Sequence, residues 1–203
     1  KYDMTTDSWT ALPDLPSAGR HHPFQFVSNG QIYAGMGHAG QTIFRDWYKL
    51  DPATDTWTSQ NNFPGEARVA GTQFDHNNKG YVLSGDGDDH GTMATGEFWS
   101  YNDTTDTWTQ LPSHPGVSRW APGSFVINDE VYLIGGLNRQ TSSLSNTAYK
   151  YPLVSNIGIK ELSENSIGLY PNPASTVLNI ETNFIYSSVS IINMAGQVLL
   201  NSA

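Results

Sequence analysis

Cysteine is absent from all 203 residues, which excludes a disulfide framework, a thiolate metal site and a cysteine nucleophile, and leaves the redox compartment open. Basic residues are scarce. Ten Lys and Arg stand against 19 Asp and Glu, a formal net charge of −9, and up to Tyr151 the count is 9 basic to 16 acidic. Such a chain carries no cationic footprint for nucleic acid and no polybasic patch for anionic lipid. No apolar run approaches the ~18 residues that cross a bilayer, so no transmembrane segment is expected. Long runs of the helix formers Glu, Lys, Ala and Leu are missing too, whereas Trp, Tyr, Phe, Thr and Gly abound, a balance that favours an all-β chain. The chain opens at Lys1 in mid-phrase, with neither Met nor a signal peptide, and reads as a fragment.

What the sequence does have is a phrase written three times: YDMTTDSWT at 2–10, LDPATDTWT at 50–58 and YNDTTDTWT at 101–109. Four landmarks share its spacing. Trp9, Trp57 and Trp108 are separated by 48 and 51 residues, and so are Arg20, Arg68 and Arg119, Tyr33, Tyr81 and Tyr132, and Gly37, Gly85 and Gly136. The three-residue excess falls in DGDDHGTMATGEFWS, after Gly85. Within each unit, short β-branched and aromatic segments are bounded by Gly, Asn, Asp and Pro, which predicts four strands per unit. GQIYAGMG, KGYVLSGDG and EVYLIGG are the least polar and are expected to be the buried second strands.

A period near 50 residues, four strands per unit and this order of landmarks resemble the kelch repeat. The resemblance rests on Gly135-Gly136, Tyr132, YKLDPATDTW and the arginine before each first strand, and it covers residues 1–152. Met36-Gly37 and Ser84-Gly85 depart from the usual glycine doublet. The resemblance implies part of a kelch-type β-propeller with four-stranded blades: two complete units and a partial one at each end. The last unit reaches Tyr151 without a DTWT phrase, and in such propellers the final blade is often completed by a strand from the beginning of the chain.

Beyond Pro152 the repeat stops. Residues 153–166 read as a polar linker, and 167–203 as a different segment in which TVLNIE alternates and SVSIINMAGQVLL reads as strand, four-residue turn, strand. Tyr170-Pro171-Asn172-Pro173, with Ala174-Ser175 and INMAGQVLL, is similar to the C-terminal sorting domain of the Bacteroidota type IX secretion system. That resemblance implies part of a small β-sandwich, contact with the secretion machinery, and a protein secreted or attached to the outer-membrane surface. The further hairpin and basic last strand usual in that family do not follow, so this end reads as truncated as well.

Several residues are candidates for chemistry. The repeated phrase suits hairpin turns made by Asp51, Thr54, Asp55 and their counterparts, with the tryptophan between blades, better than three acidic sites. Arg20, Arg68 and Arg119 precede the first strands, and by the kelch resemblance they lie near one mouth of the channel, where guanidiniums would bind a carboxylate or sugar acid bidentately. The alternative is that each braces a loop through backbone carbonyls. His22 and Trp120 adjoin them, and Trp120 or Phe24 suits stacking on a sugar ring. Adjacent strand residues face opposite sides, so His21 and His22 are not expected to share a metal, and His38, His76, His90 and His114 show no ligand spacing. Asp86, Asp88 and Asp89 form a glycine-rich acidic loop that would suit calcium, with a solvated loop as the alternative; no other cofactor is expected. Galactose-oxidase-like enzymes, which share the propeller, need a Tyr–Cys radical cofactor that these residues do not supply.

The functional expectation is a non-catalytic binding module for a glycan, sugar acid or protein partner. A sugar-active enzyme resembling kelch-type sialic acid epimerases, using Glu66 and His22, is the alternative, and a surface scaffold or adhesin is a third. The discriminator is uniformity. Residues unique to one blade favour catalysis, and uniform blades favour binding.

Overall fold

The computed structural model describes residues 1–153, 167–170, 176–177, 179–182, 188–193 and 196–202. It divides into two compact units, Lys1–Val154 and Ser155–Ala203. Every regular element among the described residues is a strand.

The first unit opens with the hairpin of β1 (Tyr2–Asp3) and β2 (Ser8–Trp9). One four-stranded antiparallel sheet follows, from β3 (Phe24–Ser28), β4 (Gln31–Gly35), β7 (Trp47–Asp51) and β8 (Thr56–Gln60), with the small hairpin of β5 (His38–Ala39) and β6 (Thr42–Ile43) between its second and third strands. The next sheet repeats this order with β9 (Thr72–His76), β10 (Lys79–Leu83), β11 (Gly96–Asn102) and β12 (Thr107–His114). The third has three strands, β13 (Gly123–Ile127), β14 (Glu130–Ile134) and β17 (Ala148–Pro152), and again a small hairpin, β15 (Leu137–Asn138) with β16 (Ser143–Leu144). These are propeller blades. Their first strands lie side by side, β9 packing against both β3 and β13. The blade of β13 has no outer strand among the described residues, as the missing DTWT phrase predicts.

The core lies between blades, because a sheet with apolar residues on both faces must bury both. Phe24, Phe26, Tyr33, Trp47 and Phe63 pack with Val82 and Tyr101 at the first boundary; Tyr81, Leu83 and Phe98 pack with Val131 and Leu133 at the second. Each such side chain contributes roughly 1.5–3 kcal/mol by leaving water. The repeated tyrosine does the same work twice within its own blade, Tyr33 meeting Trp47 at 6.4 Å between ring centroids and Tyr81 meeting Phe98, the equivalent position, at 5.8 Å.

The repeated phrase is architecture. Asp51 and Asn102 accept the backbone N–H of Ala53 and Thr104 at 2.9 and 3.0 Å, closing the turns. Asp7, Asp55 and Asp106 take φ of 48, 53 and 51°, a left-handed conformation that aspartate tolerates. Trp57 donates its indole N–H to the Pro13 carbonyl at 2.9 Å, and Trp108 donates to that of Asn61 at 3.4 Å, so each outer strand is pinned to the connector entering its own blade.

The second blade-end landmark has an equally local cause. Gly37, Gly85 and Gly136 have φ of 73, 100 and 94°, and a Cβ on them would stand 2.8 Å from the His21 carbonyl oxygen, 2.7 Å from that of Val69 and 2.9 Å from the Arg119 Cβ. Only glycine fits where each connector crosses the end of its blade. Met36 and Ser84, which depart from the glycine doublet in sequence, keep its backbone, with φ of 53 and 64° against 68° at Gly135.

In the second unit, β18 (Ile167–Tyr170) pairs with β19 (Asn179–Thr182), and β20 (Val189–Ile192) with β21 (Val198–Ser202). Asn193 closes the second hairpin, its side-chain oxygen accepting the Gln197 N–H at 2.9 Å. Tyr170 ends β18, while Pro171, Asn172 and Pro173 lie outside the described residues.

Candidate functional site

The three repeated arginines are braces. Arg20 pairs with Asp46 and donates to the Met36 carbonyl at 3.0 Å; Arg68 pairs with Glu97; Arg119 donates to the Gly135 carbonyl at 2.9 Å and to the Thr147 hydroxyl at 2.6 Å. Asp46 and Thr147 stand just before the third strand of their own blade, and Glu97 is the second residue of its own. Each guanidinium also lies over a ring, Phe44 at 4.1 Å, Phe63 at 4.6 Å and Tyr149 at 5.1 Å. Arg68 is fully buried. Arg20 and Arg119 border separate hollows of about 540 and 350 Å³. Each guanidinium is thus engaged at the end of its own blade, Arg20 and Arg68 chiefly by a carboxylate and Arg119 by a carbonyl and a hydroxyl. Phe24, a candidate for sugar stacking, is core, at 1% exposure.

A different set of residues converges at the same end of the sheets. Three short bridges tie each connector to the start of the loop after its second strand: His21 to His38, Val69 to Asp86, and Trp120 to Leu137. These are equivalent positions of the repeat, yet their side chains differ in every blade. His38 and His90 have ring centroids 4.8 Å apart, His21 and His38 3.7 Å, and His22 meets His21 at 4.7 Å and Trp120 edge-on at 5.0 Å. The expectation that His21 and His22 diverge fails because His22 takes φ 52°, so strand alternation does not hold there. Among the described residues no group of His, Asp or Glu has the arrangement of a metal site.

His38, Gly40, Gln41, His90, Trp120, Leu137 and Arg139 line a cleft of about 610 Å³. Arg139 lies over the Trp120 ring at 4.6 Å and reaches Asp86 at 3.1 Å. Its loop is fastened across the blade boundary, the Gln140 N–H donating to Thr92 at 3.2 Å and Thr92 donating to Asn138 at 3.3 Å. The inserted residues of the second blade supply His90, at φ 59°. Three buried groups in this cluster lack hydrogen-bond partners: His38 Nε2, His90 Nε2 and both oxygens of Asp86. A buried polar atom without a hydrogen bond is costly, and the two imidazole nitrogens lie beside the cleft, while Asp86 keeps the Arg139 ion pair. Partial burial, and then the charges that His21 and His38 would carry, hold the His22 imidazole below its usual range, so it is neutral at pH 7.

The acidic loop does not gather as a calcium site would. Asp86 is buried behind the cleft wall facing Arg139, the Asp88 N–H donates to Glu66 at 3.1 Å, and Asp89 accepts the Gly91 N–H at 2.6 Å. Glu66 is thereby engaged away from the cleft lining. Of the residues singled out from sequence, His22, Trp120 and Asp86 belong to the cluster; His21, His38, His90 and Arg139 were missed as a site. Their signal was present as a break in the repeat, since positions 21, 69 and 120 read His, Val, Trp and positions 38, 86 and 137 read His, Asp, Leu.

Residues 7–149 match the family model described as N-acetylneuraminate epimerase. The chain belongs to that family. The N-acetylneuraminate epimerase 1 of Escherichia coli O6:H1 is 31% identical over 63% of this chain and 34% of its own length, and the enzyme of Salmonella enteritidis PT4 is 28% identical over 82% and 31%. A solved structure, that of YjhT, superposes with a TM-score of 0.53 at 31% identity, covering 64% of this chain and 37% of that one. This epimerase-family chain thus spans about a third of the length of the curated relatives it matches. Residues 168–203 match the secretion system C-terminal sorting domain. That domain directs export by the type IX route, to the medium or the cell surface, and implies interaction with the secretion machinery.

Proposed function

We propose that this chain forms part of an exported enzyme that binds a sugar acid of the N-acetylneuraminate type in the His38, His90, Trp120, Arg139 cleft and interconverts its epimers. The observation that carries the reading is the pair of buried, unpartnered imidazole nitrogens beside a guanidinium and an indole, His38 at a repeat position where the other blades carry Asp86 and Leu137, and His90 in the stretch that lengthens the second blade. Family membership supplies the substrate class. Free N-acetylneuraminate is a cyclic hemiketal. Its epimers exchange by ring opening, in which a base takes the proton of the anomeric hydroxyl while an acid gives one to the ring oxygen; reclosure on the other face returns both. The exchange needs one group as base and a protonated one as acid, roles that histidine side chains fill near pH 7, and the Trp120 face suits the apolar side of the ring.

The test follows epimer exchange by NMR with the full-length protein, starting from the α form of N-acetylneuraminate. Acceleration that His38→Gln or His90→Gln lowers by about a hundredfold supports the proposal. Binding without acceleration makes the protein a binding module, and no binding overturns both readings.

A further inference from the structure

Asp86 and Arg139 form an unusual pair. Asp86 is fully buried, does not line the cleft, and has no aligned hydrogen-bond donor on either oxygen; Arg139 pairs with it at 3.1 Å and holds its own side chain 39% exposed along the cleft wall. An ion pair with one partner fully buried and no aligned hydrogen bond recovers little of that partner's desolvation cost. A carboxylate arriving from the cleft would offer the same guanidinium two aligned oxygens, which is the stronger arrangement. Arg139 also arrives in a fixed position, stacked on Trp120 and carried on a loop fastened to Thr92.

We infer that Arg139 is the residue that selects acidic over neutral sugars, and that it does so by exchanging Asp86 for the carboxylate of the ligand, with Asp86 taking up a proton as it is released. The inference rests on the sugar-acid reading of this cleft. The proton has a physical origin, because a fully buried carboxylate left without its cation costs several kcal/mol and neutralises instead. The charged or titratable groups facing Asp86 among the described residues are Arg139, His90 and Asp89; Val69 and Thr92, which bridge its backbone, carry none. Burial already pushes the Asp86 carboxyl up, against the opposing pull of Arg139 and then His90. The net change on binding is one guanidinium–carboxylate pair broken, one formed, and one proton moved from solvent to Asp86.

The experiment is calorimetric titration of the full-length protein at pH 7 with N-acetylneuraminic acid and with its methyl ester, each in phosphate and in Tris, whose ionisation enthalpies differ. The acid is expected to bind about tenfold or more tighter than the ester, the factor for one charge-assisted contact, and to take up close to one proton. Arg139→Gln is expected to abolish the preference, and Asp86→Asn to keep it while abolishing the proton uptake. Equal binding of acid and ester overturns the inference and leaves the sugar-acid reading standing. Unchanged proton uptake in Asp86→Asn overturns the exchange. Failure of the acid to bind overturns the reading of the cleft and the inference with it.

Discussion

Replacing Glu97 by glutamine tests whether the repeated arginines are braces. Arg68 has no exposed side-chain surface, while Glu97 keeps 21%, so the substitution leaves a buried guanidinium with no counter-charge, facing a neutral amide oxygen, the Phe63 ring and a long contact to the Glu66 carbonyl at 3.4 Å. Breaking a wholly buried pair costs about 3–5 kcal/mol. Water reaching Glu97, and the amide oxygen that still accepts the Trp99 N–H now made at 2.9 Å, reduce this to about 2 kcal/mol. Burial pushes the Glu97 carboxyl up, but the Trp99 hydrogen bond and the Arg68 charge outweigh it and hold the group below the usual glutamate range. The sign follows from linkage. A carboxyl with a depressed folded pKa contributes its stability above the unfolded value, about 4.3, and loses it as pH falls through the folded one. Urea titrations of wild type and Glu97→Gln are expected to differ by about 2 kcal/mol at pH 7 and to converge as pH falls below the unfolded value and through the folded one. Equal midpoints at pH 7 would refute the bracing account, and lost ligand affinity at unchanged stability would return Arg68 to the binding site.

Two further perturbations isolate other causes. Gly85→Ala and Gly135→Ala both force a Cβ into left-handed backbone, but at Gly135 the nearest atom is the Ser145 carbonyl oxygen at 3.6 Å, whereas at Gly85 it is the Val69 oxygen at 2.7 Å. Gly135→Ala is expected to cost about 1 kcal/mol and Gly85→Ala clearly more, by denaturant unfolding. His114 is held neutral chiefly by burial; it accepts from the Ser84 hydroxyl at 3.1 Å and donates to the Pro115 carbonyl at 2.9 Å. Its folded pKa lies below 6.5, so stability is expected to fall as pH drops below about 6.5, a slope that His114→Gln removes.

The repeat was legible because its causes are local. A turn needs Asp or Asn, a crossing connector needs glycine, and an outer strand needs a tryptophan that reaches a carbonyl; each demand recurs with the blade. The arginines recur with the glycines because each engages a group at the end of its own blade. The site lay in the irregular positions. His21, Val69 and Trp120, like His38, Asp86 and Leu137, occupy matching bridges with unlike side chains, and repetition is silent about what it does not repeat.

The sequence by itself determined the all-β class, the blade register and the point near Pro152 where the repeat ends, because short-range turn chemistry and strand alternation set these, and the tail was legible through its likeness to the sorting domain. Only the tertiary structure decided which residues meet. His22 and His90 are aimed by left-handed backbone that no alternation rule anticipates, and Arg139 reaches Asp86 from 53 residues along the chain through a loop fastened to the neighbouring blade. Proximity across blades is a property of packed sheets. Spacing along the strand encodes it only where each blade repeats its neighbour, and the cleft is where the blades differ.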